Sequence, residues 1–264
     1  MTRVVTPTDL AGALEHLAGE RARPVGGGVG LSLVRRDTGD PVAKTLVSTR
    51  KLRESRGIEA TDGDLRIGAA EPLETIAAHP IVGALWTVVA EACGSVATGR
   101  VRRAVTIGGN VAAFDAIHDP PVALAAAGAK ARLVSPRGER VVDVATLREL
   151  QPGELIVEFL LPRRPPVAGS AYEKFLVRGV WEYACVSAAA VVTPEGGTLA
   201  IGSVRHAPLV IPIEGDVDEV AGRAAEIAEP WSDVRGSKEY KRRMIVEFAS
   251  RALRKAEHRA EAAA

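Results

Sequence analysis

Along the first hundred residues the spacing of apolar positions changes several times, and each change predicts an element. Thr6 as a cap, Pro7 at the first helical position, and Leu10, Ala13, Leu14 and Leu17 on one face predict an opening helix. A short extended piece, Arg23 to Val25, runs into Gly26-Gly27-Gly28-Val29-Gly30, after which Leu31 to Val34 start a helix ending near Gly39. Strand-like segments recur at Thr45 to Ser48 and Asp64 to Ala69. Glu71 to Gly94 then reads as helical, divided into two pieces by Pro80.

A second glycine-bearing loop follows at Thr106-Ile107-Gly108-Gly109-Asn110. Ala131 to Val134, a turn at Pro136 to Glu139, and Val141 to Val144 predict a hairpin, and Leu155 to Leu161 a further strand stopped by Pro162. The run from Pro162 to Pro166 holds three prolines in five residues, which no regular element interior accepts, so a domain boundary is placed there. Beyond it, Ala184 to Val192 and Thr198 to Val204 predict an antiparallel pair around the turn Pro194 to Gly197. Helices are expected at Val217 to Ala228 and from Lys238 to about Ala256. Met244, Ile245, Phe248, Ala252 and Leu253 give the last helix an apolar stripe facing the sheet, and its basic residues form a solvated face.

Composition narrows the classes. With 264 residues, 47% of them hydrophobic, the chain buries a sizeable core. Its 34 basic and 33 acidic residues nearly cancel, which supplies no field for gathering nucleic acid. No apolar run approaches the roughly 20 residues of a membrane-spanning helix, and the N-terminus lacks a signal-peptide pattern, so a cytoplasmic protein is expected. Cys93 and Cys185 are the only cysteines, without CxxC or Cys/His spacing. Neither an iron–sulfur cluster nor structural zinc is therefore expected in this chain, and any redox role needs an organic cofactor. None of His16, His79, His118, His206 and His258 stands in a metal-ligand spacing, and no Ser/His/Asp or Cys/His arrangement is evident.

The two glycine loops carry the candidate chemistry. A phosphate needs several backbone N–H groups at close range, and glycine lets a loop present them without a Cβ in the way. The first loop lacks the Lys-Ser/Thr ending of a P-loop, and Leu31 stands where the last glycine of GxGxxG belongs. Two such loops, about 80 residues apart in sequence, suit a diphosphate gripped from two sides.

Arg23-Pro24-Val25-Gly26-Gly27-Gly28 with Leu31, Val101-Arg102 leading to Thr106-Ile107-Gly108-Gly109-Asn110, and Asp119 resemble the flavin subunits of molybdenum hydroxylases. The likeness continues through Gly153-Glu154-Leu155-Ile156, then Lys174 with Arg178, Ala184, Val186 and Ser187, then Arg235-Gly236-Ser237 with Tyr240 and Arg242. It implies an α+β chain: a two-subdomain FAD-binding domain of the vanillyl-alcohol oxidase type over 1–164, divided near 55–60. A small C-terminal α+β domain with a three-stranded antiparallel sheet would follow over 168–260. By position, Pro24, Val25, Gly26, Gly27, Gly28, Val29, Gly30 and Leu31, with Thr106, Ile107, Gly108, Gly109 and Asn110, would surround the pyrophosphate. Asp119 would hold a hydroxyl of the cofactor's sugar-like chain, and Val96, Ile156 and Lys174 would lie near the cofactor.

The resemblance further implies non-covalent FAD, since neither glycine loop holds a histidine or cysteine for attachment. Molybdopterin would sit on a large partner subunit and iron–sulfur clusters on a small one, with NAD, oxygen or a quinone as acceptor. There are departures. Val29-Gly30 replaces a polar pair common in the family, Arg100 and Arg103 stand where Gln and Asn are common, and Ala112 to His118 is not the usual small polar run. A stand-alone flavin oxidase or dehydrogenase acting on a small organic substrate is the alternative these departures keep open.

Overall fold

A computed structural model describes residues 2–32, 43–61, 64–163, 168–179, 182–204 and 207–263. At the N-terminus β1 (Arg3–Val5) and β2 (Ala22–Val25) both pair in parallel with a central β3 (Thr45–Ser48). The helix α1 (Leu10–Leu17) buries Ala13 and Leu17 against Val47 and Leu52. It starts later than Pro7 predicts, because the Asp9 carboxylate caps it, accepting from Gly12 N at 2.8 Å. The same apolar cluster takes in Val134, Leu155 and Val157, so this small layer packs against the next sheet.

That sheet has the order β4-β5-β8-β6-β7 and is antiparallel throughout: β4 (Ile58–Ala60), β5 (Leu65–Gly68), β6 (Lys130–Ser135), β7 (Gly138–Asp143) and β8 (Leu155–Leu161). Central β8 is apolar at almost every position because both its faces are covered. Between β5 and β6 the chain inserts short helices: α2 (Leu73–Ala77), α3 (Pro80–Leu85), α4 (Thr87–Gly94), α5 (Gly99–Ala104), α6 (Ile107–Val111) and α7 (Asp119–Ala126). The stretch expected as two pieces is three. Pro80 opens α3 at a position where its missing N–H loses nothing, and buried Trp86 leaves helical geometry at φ −137°, ψ 64° to divide α3 from α4.

The C-terminal sheet runs β12-β11-β10-β9, all antiparallel: β9 (Gly169–Phe175), β10 (Val186–Thr193), β11 (Gly196–Gly202) and β12 (Leu209–Pro212). It therefore has four strands, not the expected three; the three-stranded sheet of this chain is the N-terminal parallel one. The extra strand is four residues long and bounded by Pro208 and Pro212, which reads as loop in sequence. An edge strand tolerates proline where its N–H would face solvent, and Leu209 and Ile211 turn inward to pair opposite Ile201 and Leu199.

Two helices cover this sheet. A capping box of Asp216 and Glu219 starts α8 (Val217–Ile227), and Ser237 starts α9 (Lys238–Glu261). The latter outruns its expected end by more than a turn. Gly169 lies directly on it, since a Cβ there would stand 1.8 Å from the Ala256 carbonyl oxygen. From α9, Arg259 reaches Glu91 of α4 at 2.6 Å and the Ser170 carbonyl at 2.6 Å, and Glu91 also accepts from Tyr172 N. Burial alone would raise the Glu91 pKa, but the Arg259 guanidinium, the Tyr172 amide and Lys255 outweigh it and hold the carboxyl below its usual range. The main core also joins the two parts, because Tyr172, Ala189, Val191 and Ala200 share it with residues of the five-stranded sheet and its helices.

Candidate functional site

The first glycine loop leaves the end of β2 and turns at Gly28, which sits at φ +75°, a region glycine enters without strain. Helical geometry begins at Val29, two residues before the expected Leu31, and its first closing bond is Ser32 N to the Gly28 carbonyl at 2.9 Å. The amides of Val29, Gly30 and Leu31 thus belong to a first turn that has no acceptor of its own. The predicted continuation to Gly39 lies outside the described residues.

Gly26 and Gly27 do something different. A Cβ on Gly26 would stand 2.1 Å from Thr106 Oγ1, and one on Gly27 1.7 Å from the Ala104 carbonyl oxygen. The first loop therefore lies directly on the second and its approach, Gly26 against the Thr106 side chain and Gly27 against the main chain at Ala104 and Val105, and neither position has room for a side chain.

The second loop is fixed by its caps. Thr98 Oγ1 accepts from Val101 N at the start of α5, and Thr106 Oγ1 accepts from Gly109 N at 3.2 Å at the start of α6. Ile107 N bonds the Glu71 carbonyl at 3.0 Å and Gly108 N the Ala69 carbonyl at 2.9 Å, while the Ile107 side chain is fully buried. Gly108 is confined, since a Cβ would meet Ala69 at 2.7 Å. Gly109 is exposed and has no positive φ, so its freedom from a side chain leaves surface open instead of permitting a turn. Beside it Asn110 is buried, and its Oδ1 has no hydrogen-bond partner. Its carbonyl accepts from His118 Nδ1 at 3.0 Å, which puts the ring proton on Nδ1.

A third group gathers where α4 and α7 meet β9. Asp119, the first residue of α7, is 3% exposed. Its Oδ2 takes Lys174 Nζ at 2.8 Å and its Oδ1 takes the Tyr172 hydroxyl at 2.6 Å. Lys174 Nζ also donates to the Ser95 carbonyl at 3.3 Å, next to Val96. Burial, then the Asp119 charge, pushes the Tyr172 hydroxyl well above the usual phenol range, so it stays a donor. The same two causes push the Cys93 thiol up, which keeps it neutral and unreactive.

The residues singled out from the sequence thus fall into three settings. Gly26 to Leu31 and Thr106 to Asn110 come together, with Pro24 and Val25 at the strand end that leads in. Asp119 and Lys174 form the buried group at β9, and Val96 follows the Ser95 whose carbonyl Lys174 bonds. Ile156 is a core side chain of β8, in the same large apolar cluster as Ile107 and Ala69. Tyr172 was not picked out, although it stands two residues from Lys174 and a strand puts i and i+2 on one face. Of the basic run beside the second loop, Arg102 is an internal tie, to Glu74 at 2.6 Å and to the Val96 and Ala97 carbonyls, whereas Arg100 and Arg103 are exposed.

Such an arrangement suits a dinucleotide. Open amides at a helix start, an exposed glycine on the neighbouring loop, and a buried amide oxygen without a partner are a fitting donor and acceptor set for FAD. A wide groove of about 730 Å³ between the β9 edge and α9 shares only Lys174 with these residues. Among the described residues no group of three or more His, Cys, Asp or Glu is placed to hold a metal ion, and no helix is long and apolar enough to cross a membrane.

Residues 1–164 match the family described as the FAD binding domain in molybdopterin dehydrogenase. The chain is 32% identical to the carbon monoxide dehydrogenase medium chain of Afipia carboxidovorans, over 97% of this chain and 96% of that one. To the 6-hydroxypseudooxynicotine dehydrogenase complex subunit alpha of Paenarthrobacter nicotinovorans it is 29% identical, over 81% and 80%. Among solved structures, the reconstituted CO dehydrogenase from Oligotropha carboxidovorans superposes with a TM-score of 0.90 at 28% identity, over 98% of both chains.

Proposed function

Because this chain belongs to the FAD-binding domains of molybdopterin dehydrogenases, we propose that it is the medium subunit of a molybdenum hydroxylase and relays electrons to an external acceptor. FAD, when bound, supplies electron exchange in single or paired steps. The contact of the two glycine loops beside the unpartnered Asn110 Oδ1 carries this reading. Gly26 to Leu31 and Thr106 to Asn110 surround the pyrophosphate: the first loop offers the amides of its helix start, the second, whose Ile107 to Asn110 amides are bonded within the protein, offers the open face at Gly109, and Pro24 and Val25 set the approach of the first loop. Val96 and Lys174 line the site further along, Asp119 keeps Lys174 in place, and Ile156 belongs to the core cluster that also takes in Ile107 of the second loop. We assign 1–164 to FAD binding, divided near 55–60, and 168–260 to a C-terminal α+β domain.

Partner subunits are expected because the relatives are a medium chain and a complex subunit. A large molybdopterin subunit would oxidise the substrate and a small iron–sulfur subunit would deliver the electrons here, in the cytoplasm, with NAD, oxygen or a quinone taking them away. The two relatives named above act on chemically unrelated molecules, and both are used as candidate substrates in the test. Val29-Gly30 offers no polar side chain beside the first loop, so that side of the cofactor is held by main chain alone.

The test is anaerobic. The FAD-loaded chain is mixed with carbon monoxide or 6-hydroxypseudooxynicotine, alone and then together with the large and iron–sulfur subunits that co-purify from its source. Bleaching of the flavin band only with both partners present is the expected outcome. Rapid bleaching of the chain alone would replace the relay by a stand-alone dehydrogenase.

A further inference from the structure

We propose that Tyr172 is a positioning residue of the cofactor site: it occupies one oxygen of Asp119 so that Lys174 keeps a donor for the ligand. This rests on the reading that FAD binds here. An ammonium group has three N–H donors. Two are committed, one to Asp119 Oδ2 at 2.8 Å and one to the Ser95 carbonyl at 3.3 Å, which leaves one. Asp119 is satisfied on its other side by the Tyr172 hydroxyl at 2.6 Å.

Without that hydroxyl, a carboxylate oxygen is left bare in a site that is 3% exposed. A buried carboxylate oxygen without a donor is disfavoured, and Lys174 is the cation already in contact with this carboxylate. The ammonium would turn to span both oxygens, withdrawing its third N–H. Tyr172 therefore acts on the cofactor through Asp119 and Lys174, without touching it. Burial and the Asp119 charge keep the phenol protonated, and the Ser187 and Ser95 hydroxyls lie close enough to bear on it. Because Tyr172 and Lys174 sit on β9 while Asp119 begins α7, the same contact ties the C-terminal sheet to the flavin-binding part.

The experiment compares FAD affinity, by quenching of flavin fluorescence on titration of the flavin-free full-length chain, for wild type, Tyr172→Phe, Asp119→Asn and the double variant. Losing a hydrogen bond to a charged group predicts a roughly ten- to hundredfold weaker Kd for Tyr172→Phe, with a shifted visible flavin band. The double variant should bind no more weakly than Asp119→Asn, since Tyr172 works through Asp119. Wild-type affinity in Tyr172→Phe, or losses that multiply in the double variant, would overturn the inference while leaving FAD binding intact. A wild-type chain that takes up no FAD would instead overturn the reading beneath it. Should Tyr172→Phe not fold, Asp119→Asn carries the test, and unchanged affinity there overturns the inference equally.

Discussion

Gly109→Val protein is expected to purify folded and without flavin. Gly109 is exposed and has no positive φ, so an L side chain meets no backbone strain there. A Cβ would stand 3.0 Å from Thr106 Oγ1, a contact that a small hydroxyl shift relieves. In a helical turn valine is at least as acceptable as glycine, so the change in fold stability should be small. On the ligand side the same substitution places an isopropyl group over the face that the two loops leave open. Overpacking of that kind costs about 3 kcal/mol, which is roughly a hundredfold in Kd. Circular dichroism matching wild type, with the flavin-to-protein absorbance ratio near zero, is the predicted pair of measurements. Normal flavin content in a folded Gly109→Val chain would remove the second loop from the site.

Gly27→Ala should be worse, although it adds a single methyl group. Its Cβ would stand 1.7 Å from the Ala104 carbonyl oxygen and 2.6 Å from the Ala104 carbonyl carbon. No rotamer relieves a clash with main chain, so the loops must separate and α5, which ends at Ala104, must move with them. Loss of several kcal/mol of stability together with the flavin is expected, from about 1–3 kcal/mol of ordinary overpacking upward. Gly30→Ala is the control from the same loop. Nothing lies within 4 Å of a Cβ there, so that chain should keep its melting temperature. Equal behaviour of the two variants would contradict the loop-to-loop contact.

This contrast marks what the sequence could and could not disclose. Glycine content identified both loops, because close backbone approach has few other solutions, but sequence does not say what approaches. Gly26 and Gly27 answer to the second loop, Gly108 to Ala69, and Gly109 to open surface. Leu155–Leu161 is legible to the residue and Lys130–Ser135 to within one at each end, whereas Gly138–Asp143 reads as starting only at Val141, because Gly138 and Glu139 look like turn. Leu209–Pro212 is not legible, because its pairing depends on β11 and its prolines point locally to a loop. At the first helix Pro7 gave a plausible start, yet Asp9 wins because a carboxylate that accepts an amide caps more strongly than proline starts.

The α+β class and the FAD-binding fold were accessible through the order of motif blocks, and the comparisons with relatives bear them out. Asp119 and Lys174 were separate positions in the sequence, 55 residues apart, and nothing local predicts that they pair. Tyr172 completes that pairing from the same strand as Lys174. A buried polar cluster assembled from α4, α7 and β9 depends on tertiary packing, which periodicity alone does not report.

The most direct test of the central claim is the fate of the flavin when the purified full-length chain is precipitated with acid. FAD in the supernatant, close to one per chain and identified by chromatography and mass, is the predicted result. FMN in its place, or flavin that stays with the denatured polypeptide, would contradict a non-covalent dinucleotide held between the two glycine loops.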